Sequence, residues 1–129
     1  MQNIPEGLQD LLTDDAKTIL CLATTMPDGS PQVTPIWFKT DGEYLLINSA
    51  KGRTKDRNMR ARPKVAVAIM DPQNIYRYIQ LRGEVVDITE SGAREHINTL
   101  SIKYTGNRVF DCPPEQIRVI YKIRIVYVN

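Results

Sequence analysis

Residues 64–89 read KVAVAIMDPQNIYRYIQLRGEVVDIT, and they carry the strongest signal for the fold. Large and small side chains alternate over residues 65–70, a pattern that predicts a strand with one bulky face and one small-residue face. The DPQN turn leads into a long second strand over residues 75–89. Gly83 interrupts that strand and predicts a bulge or bend of the kind that curls a sheet into a barrel.

The preceding sequence predicts two more hairpins. KTILCLATT (17–25) is an apolar strand that ends at the turn-forming sequence MPDGSP. QVTPIWFKT (32–40) is its partner, and the Asp41-Gly42 pair favours a tight turn into EYLLINS (43–49). Pro35 has no N–H for a ladder, so its strand should lie at an edge, bulge, or face a ligand.

Three helices and a last strand complete the chain. The helices are predicted in EGLQDLLTDDA (6–16), from Lys51 or Arg53 to about Arg62, and from about Glu90 to Tyr104. QIRVIYKIRIVYV (116–128) alternates as a half-buried strand does, with Arg118, Lys122 and Arg124 on its polar face. Six strands and three helices predict one mainly β domain with α-helices (α+β) over residues 1–129, a small antiparallel barrel.

The composition of the sequence limits the classes of function to consider. A net charge of +2 gives no general attraction to nucleic acid or membrane. There is no run of about 18 apolar residues and no signal peptide in MQNIPEGLQDLL, so a cytoplasmic protein is expected. Cys21 and Cys112 are predicted to be packing residues, and His96 a surface helix residue without a partner, so no metal site is expected.

Residues 49–64, SAKGRTKDRNMRARPK, hold seven of the chain's 17 Lys and Arg residues. Such a run can be a solvated helix face or an anion clamp at a helix N-terminus, where the helix dipole favours negative charge. Hydrogen-bonding side chains interleaved with the cations, and the absence of aromatic residues in this window, favour a phosphate clamp. Arg62 and Lys64 are predicted to be solvated surface.

The order of three motifs resembles one protein family. DGSPQVTPIWF (28–38), SAKGRTKDRNMRARP (49–63) and YRYIQLRGEV (76–85) occur as in the split-barrel flavin-binding proteins related to pyridoxamine 5′-phosphate oxidase. The likeness covers nearly the whole chain and is strongest to a short subgroup described as F420-dependent enzymes. It implies a homodimer of six-stranded antiparallel split β-barrels, with a flavin or deazaflavin in each of two grooves at the subunit interface.

The resemblance also implies site residues. The family's phosphate-binding positions correspond to Arg53, Lys55 and Asn58, with Ser49 and Thr54 beside them. Positions that line the tricyclic ring correspond to Gln32, Val33 and Pro35, with Asn48 at the end of the adjoining strand. The strand that approaches from the second subunit carries Tyr76, Tyr78 and Gln80, although packing is an equal interpretation of both tyrosines. Trp37 either walls the pocket or packs in the dimer, and packing is favoured.

The function implied is hydride transfer between F420 or FMN and a small organic substrate, with the chemistry carried by the cofactor. No catalytic side chain is assigned. F420 is favoured over FMN because Lys51, Arg57 and Arg60 offer charge for its glutamyl tail. Pyridoxamine phosphate oxidase activity itself is not expected, because the sequence ends at the last strand. The alternatives are a flavin- or F420-binding carrier or sensor without turnover, and a nucleic-acid-binding small barrel.

Overall fold

The structure, a computed structural model, describes residues 3–129; Met1 and Gln2, the first two residues of the predicted domain, lie outside the described range. A 3₁₀ helix, Glu6–Leu12, comes first, and the α-helices are α1 (Thr54–Ala61) and α2 (Ala93–Thr105). The strands are β1 (Ile19–Thr25), β2 (Pro31–Ile36), β3 (Phe38–Asp41), β4 (Tyr44–Ala50), β5 (Lys64–Asp71), β6 (Asn74–Thr89) and β7 (Arg118–Val128).

All seven strands form one antiparallel sheet in the order β2-β1-β5-β6-β7-β4-β3. The two edge strands, β2 and β3, are consecutive in the chain and are separated by Trp37 alone. The sheet must therefore curl until its two edge strands meet. These strands are joined by the backbone at Trp37 and not by ladder hydrogen bonds. This is a split barrel, and the predicted fold class is confirmed.

The predicted strand count of six was wrong by one, because residues 32–40 form two strands. Up to Ile36 the chain pairs with β1, and from Phe38 it pairs with β4. Trp37 is the point where the chain passes from one edge of the sheet to the other. Pro35 lies on the edge strand β2 opposite Cys21, as its missing N–H predicts.

Gly83 is a point of close approach between β6 and β7. The pairing register shifts between Arg82 and Gly83, which confirms the predicted bulge. A Cβ atom at this position would lie 2.6 Å from the carbonyl oxygen of Arg124 and 2.8 Å from Cγ2 of Ile123. The bend of the barrel here therefore depends on a residue with no side chain.

The core fills the barrel, and two of the helices add residues to it. Alternate residues of the strands point inward, among them Leu20, Ile47 and Tyr121, all fully buried. The 3₁₀ helix contributes Leu11 and Leu12, and α1 contributes Met59. The small-residue face of β5 points outward instead, where Ala66 and Ala68 lie opposite Ala23 and Cys21 of β1.

The two α-helices are placed nearly as the sequence predicts. Helix α1 ends before Arg62, which takes an extended conformation ahead of Pro63. Helix α2 begins after Gly92 and ends before Gly106, both in the left-handed conformation. It packs on β7 and β4 from outside the barrel.

Replacing Gly83 by Ala tests the close approach. We expect Gly83→Ala to lower the free energy of unfolding by about 2–3 kcal/mol, because the new methyl group would push backbone apart. Gly7→Ala is the matched control, since a Cβ atom there meets nothing within 4 Å. Urea unfolding followed by circular dichroism measures both changes, and equal stability of the two variants would contradict the expectation.

Candidate functional site

A cleft with a volume of about 410 Å³ opens at the seam of the barrel. The seam residues form one side, the N-terminal turn of α1 supplies charge, and α2 with the loop that follows it forms the other side. The cleft is lined by Lys17, Thr18, Ile19, Pro35, Ile36, Trp37, Asn48, Ser49, Arg53, Lys55, Ile97, Tyr104, Phe110 and Arg118.

Three aromatic rings form one wall. Trp37 stacks on Tyr104 with 5.3 Å between ring centroids and 4° between planes, and Phe110 meets Trp37 edge-on at 5.8 Å. The Tyr104 hydroxyl donates to the carbonyl of Thr18 at 3.0 Å and accepts from the Phe38 N–H at 3.4 Å. Burial raises the pKa of Tyr104 to about 12, so this side chain stays neutral while it ties α2 to both sides of the seam.

Trp37 lines the cleft, as one of its two predicted roles requires, and packs against rings of its own chain. Its packing in a dimer stays a prediction. A flat aromatic wall beside apolar residues such as Pro35 and Ile36 suits a planar ring.

Three cations converge on the same cleft. Arg53 precedes α1, Lys55 lies in its first turn, and Arg118 begins β7. Burial, and then the positive charges of Arg53 and Arg118, lower the pKa of Lys55. Burial, and then Arg53, also lower the pKa of Arg118. The nearby acids Glu90 and Asp56 pair instead with Lys51 and Arg60. A bound anion would relieve this repulsion.

A second hollow of about 380 Å³ adjoins the cleft through Arg53 and Lys55, which line both. Its other lining residues are Gln32, Gly52, Thr54 and Arg57. The N-cap residue of α1, Arg53, gives no side-chain acceptor to the first turn of the helix. Ser49 is buried, and its Oγ has no hydrogen-bond partner among the described residues. The uncapped N-terminus of α1 and the unpaired Ser49 hydroxyl both fit a phosphate group, which accepts hydrogen bonds from helix N–H groups and hydroxyls.

Asp56 holds the cationic turn in place. Its carboxylate is buried and accepts hydrogen bonds from the Gly52 N–H at 2.8 Å, the Tyr121 hydroxyl at 2.5 Å and Arg60 Nε at 2.9 Å. Burial alone would raise the pKa of Asp56, but these hydrogen bonds outweigh burial and lower it. Asp56 is not among the residues predicted from the sequence, although an acid in the first turn of a basic helix is a recognisable capping signal.

Asn48 joins α2 to the cleft. Its Nδ2 donates to the Ala93 carbonyl at 2.9 Å and lies 3.0 Å from His96 Nδ1, while its Oδ1 accepts from Arg118 Nε at 3.0 Å. The prediction that His96 is a surface residue without a partner was wrong, because α2 packs that ring against β4. Burial, and then Lys39, lower the pKa of His96 to about 4.

Arg118 is a second site residue that was not predicted from the sequence. The alternation of β7 put it on a polar face with Lys122 and Arg124, yet its side chain is only 5% exposed. The loop after α2 covers this end of the strand, and the guanidinium lies over the Phe110 ring at 5.1 Å. Strand alternation indicates which face a residue is on, but Phe110, eight residues earlier in the sequence, decides whether that face is covered.

Most of the predicted site residues come together. Pro35, Asn48, Ser49, Arg53 and Lys55 line the cleft, and Gln32 and Thr54 line the adjoining hollow. Val33, Tyr76, Tyr78 and Gln80 are exposed and line neither.

Asn58 lies apart from both cavities, so the geometry does not support its predicted contact with phosphate. It is buried, and its amide donates to Thr24 Oγ1 at 3.0 Å and accepts from Arg62 at 3.1 Å. Arg62, predicted to be solvated, also donates to the Thr25 carbonyl at 2.7 Å. Both residues fasten α1 to β1, because a short polar helix needs side-chain hydrogen bonds to dock on a sheet.

The fold and the cleft together define a class of protein: split barrels with an aromatic and cationic cleft at the seam. Residues 4–129 match the family described as pyridoxamine 5′-phosphate oxidase, and the chain belongs to that family. It is similar to a solved F420 reductase, with 36% identity, a TM-score of 0.86 and 98% of each chain covered.

Two further solved structures share the fold at lower identity. General Stress Protein 26 from Bacillus anthracis is 18% identical with a TM-score of 0.67, over 95% of this chain and 89% of that one. A conserved hypothetical protein from Mycobacterium tuberculosis is 22% identical with a TM-score of 0.71, over 97% and 82% of the two chains. No curated protein gives a significant match.

No helix in residues 3–129 has both the length and the apolar character needed to cross a membrane. Over the same range, no three His, Cys, Asp or Glu residues are grouped so that they could hold a metal ion.

Replacing Asp56 by Asn tests its role in holding the turn. We expect a loss of about 3 kcal/mol of unfolding free energy at pH 7, because buried donors lose their charged acceptor. Since folding lowers the pKa of Asp56, its stabilisation is present above the ordinary value of 3.8 and is lost as pH falls through the folded value. The difference between wild type and variant should therefore shrink at pH 3.

Urea unfolding at pH 7 and pH 3 makes this comparison. Asp15→Asn is the control, because Asp15 is exposed and should change stability little at either pH. A loss that is the same size at both pH values would contradict the expectation.

Proposed function

We propose that the cleft binds a phosphate-bearing flavin or deazaflavin, and that the protein is an oxidoreductase that transfers a hydride between this cofactor and a small organic substrate. The observation that carries the proposal is the group of three cations, Arg53, Lys55 and Arg118, beside a flat aromatic wall. Family membership supports the same class of chemistry.

The residues divide between the two parts of such a cofactor. Arg53 and Lys55 would hold the phosphate, with Ser49 Oγ and the N-terminal turn of α1 as further donors. Pro35 and Trp37 would lie against the ring. When bound, the cofactor supplies the hydride chemistry, and the protein orients the ring and excludes water. The Tyr104 hydroxyl already donates to Thr18, so we assign Tyr104 a positioning role and no proton transfer.

F420 is favoured over FMN in this proposal. The F420 reductase that shares 36% identity with the chain supports that choice. The hollow beyond the phosphate position offers room and charge for a glutamyl tail through Arg57. Lys51 and Arg60 contribute less than the sequence suggested, because Lys51 pairs with Glu90 at 3.0 Å and Arg60 pairs with Asp56 at 2.9 Å.

A homodimer is part of the proposal. The outward face of β1 and β5 carries the small residues Cys21, Ala23, Ala66 and Ala68, which lie in register across the two strands. Val33 continues this face onto β2, where it is 65% exposed. Pro35 belongs both to this face and to the cleft. A second copy packed on this face would therefore cover the apolar surface and complete the cleft.

On β6 the same face presents Tyr78 beside Met70 and Gln80 beside Ala68. The tyrosine is 48% exposed, and Tyr76 further along the strand is 88% exposed. These exposed side chains would contact the second copy, which agrees with the expectation that this strand approaches the neighbouring site.

Removing the two clamp cations tests the cofactor site. We expect Arg53→Ala with Lys55→Ala to weaken binding of F420 and FMN at least 100-fold, since charge-assisted hydrogen bonds contribute about 1.5–3 kcal/mol each. Fluorescence titration of the purified protein with each cofactor measures this. Arg124→Ala is the control, because Arg124 is an exposed cation that does not line the cleft. Unchanged affinity in the double variant would contradict the phosphate clamp.

Placing a charge on the small-residue face tests the dimer. We expect Ala68→Arg to convert a dimer to a monomer, because a long cation in the centre of an apolar interface would be buried without a partner. Sedimentation velocity measures the change. Ala61→Arg, at the exposed end of α1, is the control and should remain dimeric. A wild-type protein that sediments as a monomer at micromolar concentration would contradict the proposal.

A further inference from the structure

A chain of buried polar groups runs from α2 through β4 to the cleft. It joins His96 to Asn48 at 3.0 Å and Asn48 to Arg118 at 3.0 Å. Asn48 and Arg118 are almost fully buried, so each link lies away from water, where an unpaired group is costly. Arg118, at the other end of this series of hydrogen bonds, lines the cleft, whereas His96 does not.

The orientation of the Asn48 amide is determined by its neighbours. The Ala93 carbonyl can only accept, so the nitrogen of the Asn48 amide must face it at 2.9 Å. That same nitrogen faces His96 Nδ1, which must therefore be the acceptor, with the ring hydrogen on Nε2. The amide oxygen is left to accept from Arg118 Nε. A neutral His96 is thus consistent with every bond that Asn48 makes.

The link from Asn48 sets the direction of the Arg118 guanidinium. Nε is bound to Asn48, one Nη1 hydrogen is donated to Gln116 Oε1 at 2.9 Å, and the group lies over the Phe110 ring. An arginine has five N–H donors, so three remain for a ligand in the cleft. Both hydrogens of Nη2 and the second hydrogen of Nη1 can therefore donate to an anion.

We propose that His96 is a positioning residue for the anion site: through Asn48 it fixes the Arg118 guanidinium, and so it raises the affinity of the cleft for an anionic cofactor. The proposal rests on the proposed function, since it takes the anion to be the phosphate or another acidic group of the flavin or deazaflavin. It adds a residue on α2, outside the cleft, to those that determine affinity.

The charges around His96 keep the link intact near neutral pH. Lys39 of β3 is the charged group that acts on the ring, and Arg118 of β7 lies beyond Asn48. Burial and Lys39 hold the pKa of His96 at about 4, against an ordinary value of 6.5. A protonated ring could not accept from Asn48. The hydrogen bond between Asn48 and His96 should therefore break in acid. Because folding lowers the pKa of His96, folding stability should also decline as pH falls from 6.5 towards 4.

Two substitutions of His96 separate positioning from packing. His96→Phe keeps an aromatic ring but removes the acceptor, and His96→Gln restores an acceptor through Oε1. We expect His96→Phe to weaken binding of F420 and FMN about three- to tenfold at pH 7, the value of one hydrogen bond, and His96→Gln to stay closer to wild type. Equal affinities of the wild type and both variants would overturn the proposal.

A double-variant cycle with Arg118→Gln shows whether the effect passes through the arginine. If His96 acts through Arg118, His96→Phe should change cofactor affinity little once Arg118 has been replaced. Fluorescence titrations of the two single variants and the double variant provide the cycle. Effects that simply add would overturn the proposal, because they would mean that His96 acts independently of Arg118.

A measurement without any cofactor separates this inference from the proposed function. In ¹⁵N spectra of the wild type, the Arg118 Nε–H signal should exchange slowly with water, because Asn48 accepts that hydrogen. In His96→Phe it should exchange faster, and in His96→Gln it should resemble wild type. Loss of protection in His96→Phe would support the positioning even if neither cofactor bound. An unchanged signal would overturn it even if both cofactors bound.

Discussion

Closure of the barrel through a single residue is the constraint on which the rest of the structure depends. The edges of the sheet meet at Trp37, with one residue of backbone between the last contact with β1 and the first with β4. Backbone hydrogen bonds cannot hold such a seam, so side chains must. Tyr104 supplies both a hydroxyl that bonds each side of the seam and a ring that stacks on Trp37. The cleft is the space that this incomplete closure leaves.

The electrostatics of the cleft follow from how its walls are built. Arg53, Lys55 and Arg118 are held together in the cleft, where burial, and then the positive charge of their neighbours, lowers the pKa values of Lys55 and Arg118. Such an arrangement costs folding free energy, and the surrounding structure must offset it. Asp56 offsets part of this cost through its hydrogen bonds with Gly52, Tyr121 and Arg60. Its carboxylate does not line the cleft. The negative charge that stabilises the turn therefore does not neutralise the site.

The sequence predicted those parts of the fold that local pattern determines. The alternation of β5, the bulge at Gly83 and the helix stop at Pro63 follow from side-chain size, missing Cβ and missing N–H, each of which acts within a few residues. The split of residues 32–40 into β2 and β3 was missed because nothing local marks it. Trp37 and its neighbours are compatible with one strand, and the closure of the whole sheet decides that they form two.

The same distinction between local sequence and long-range packing applies to the candidate site. Ser49, Arg53 and Lys55 were recognisable because they lie within seven residues of one another at the start of a helix. Arg118 was not, because its burial depends on the loop that carries Phe110. Asn58 follows Thr54 by four residues, on the same helix face, but one turn further along the helix its side chain lies against the sheet and outside both cavities. Hydrogen bonds with Thr24 and Arg62 hold the Asn58 side chain in that position.

The polar groups of the cleft are therefore held from two directions. Asp56 of α1 fixes the N-terminal turn of that helix, and Asn48 of β4, bound to α2, fixes the Arg118 side. These two supports share no residue, and each depends on hydrogen bonds that leave its cation free to face the cleft. An anion entering the cleft would meet donors that are already oriented, so little ordering of side chains would oppose binding.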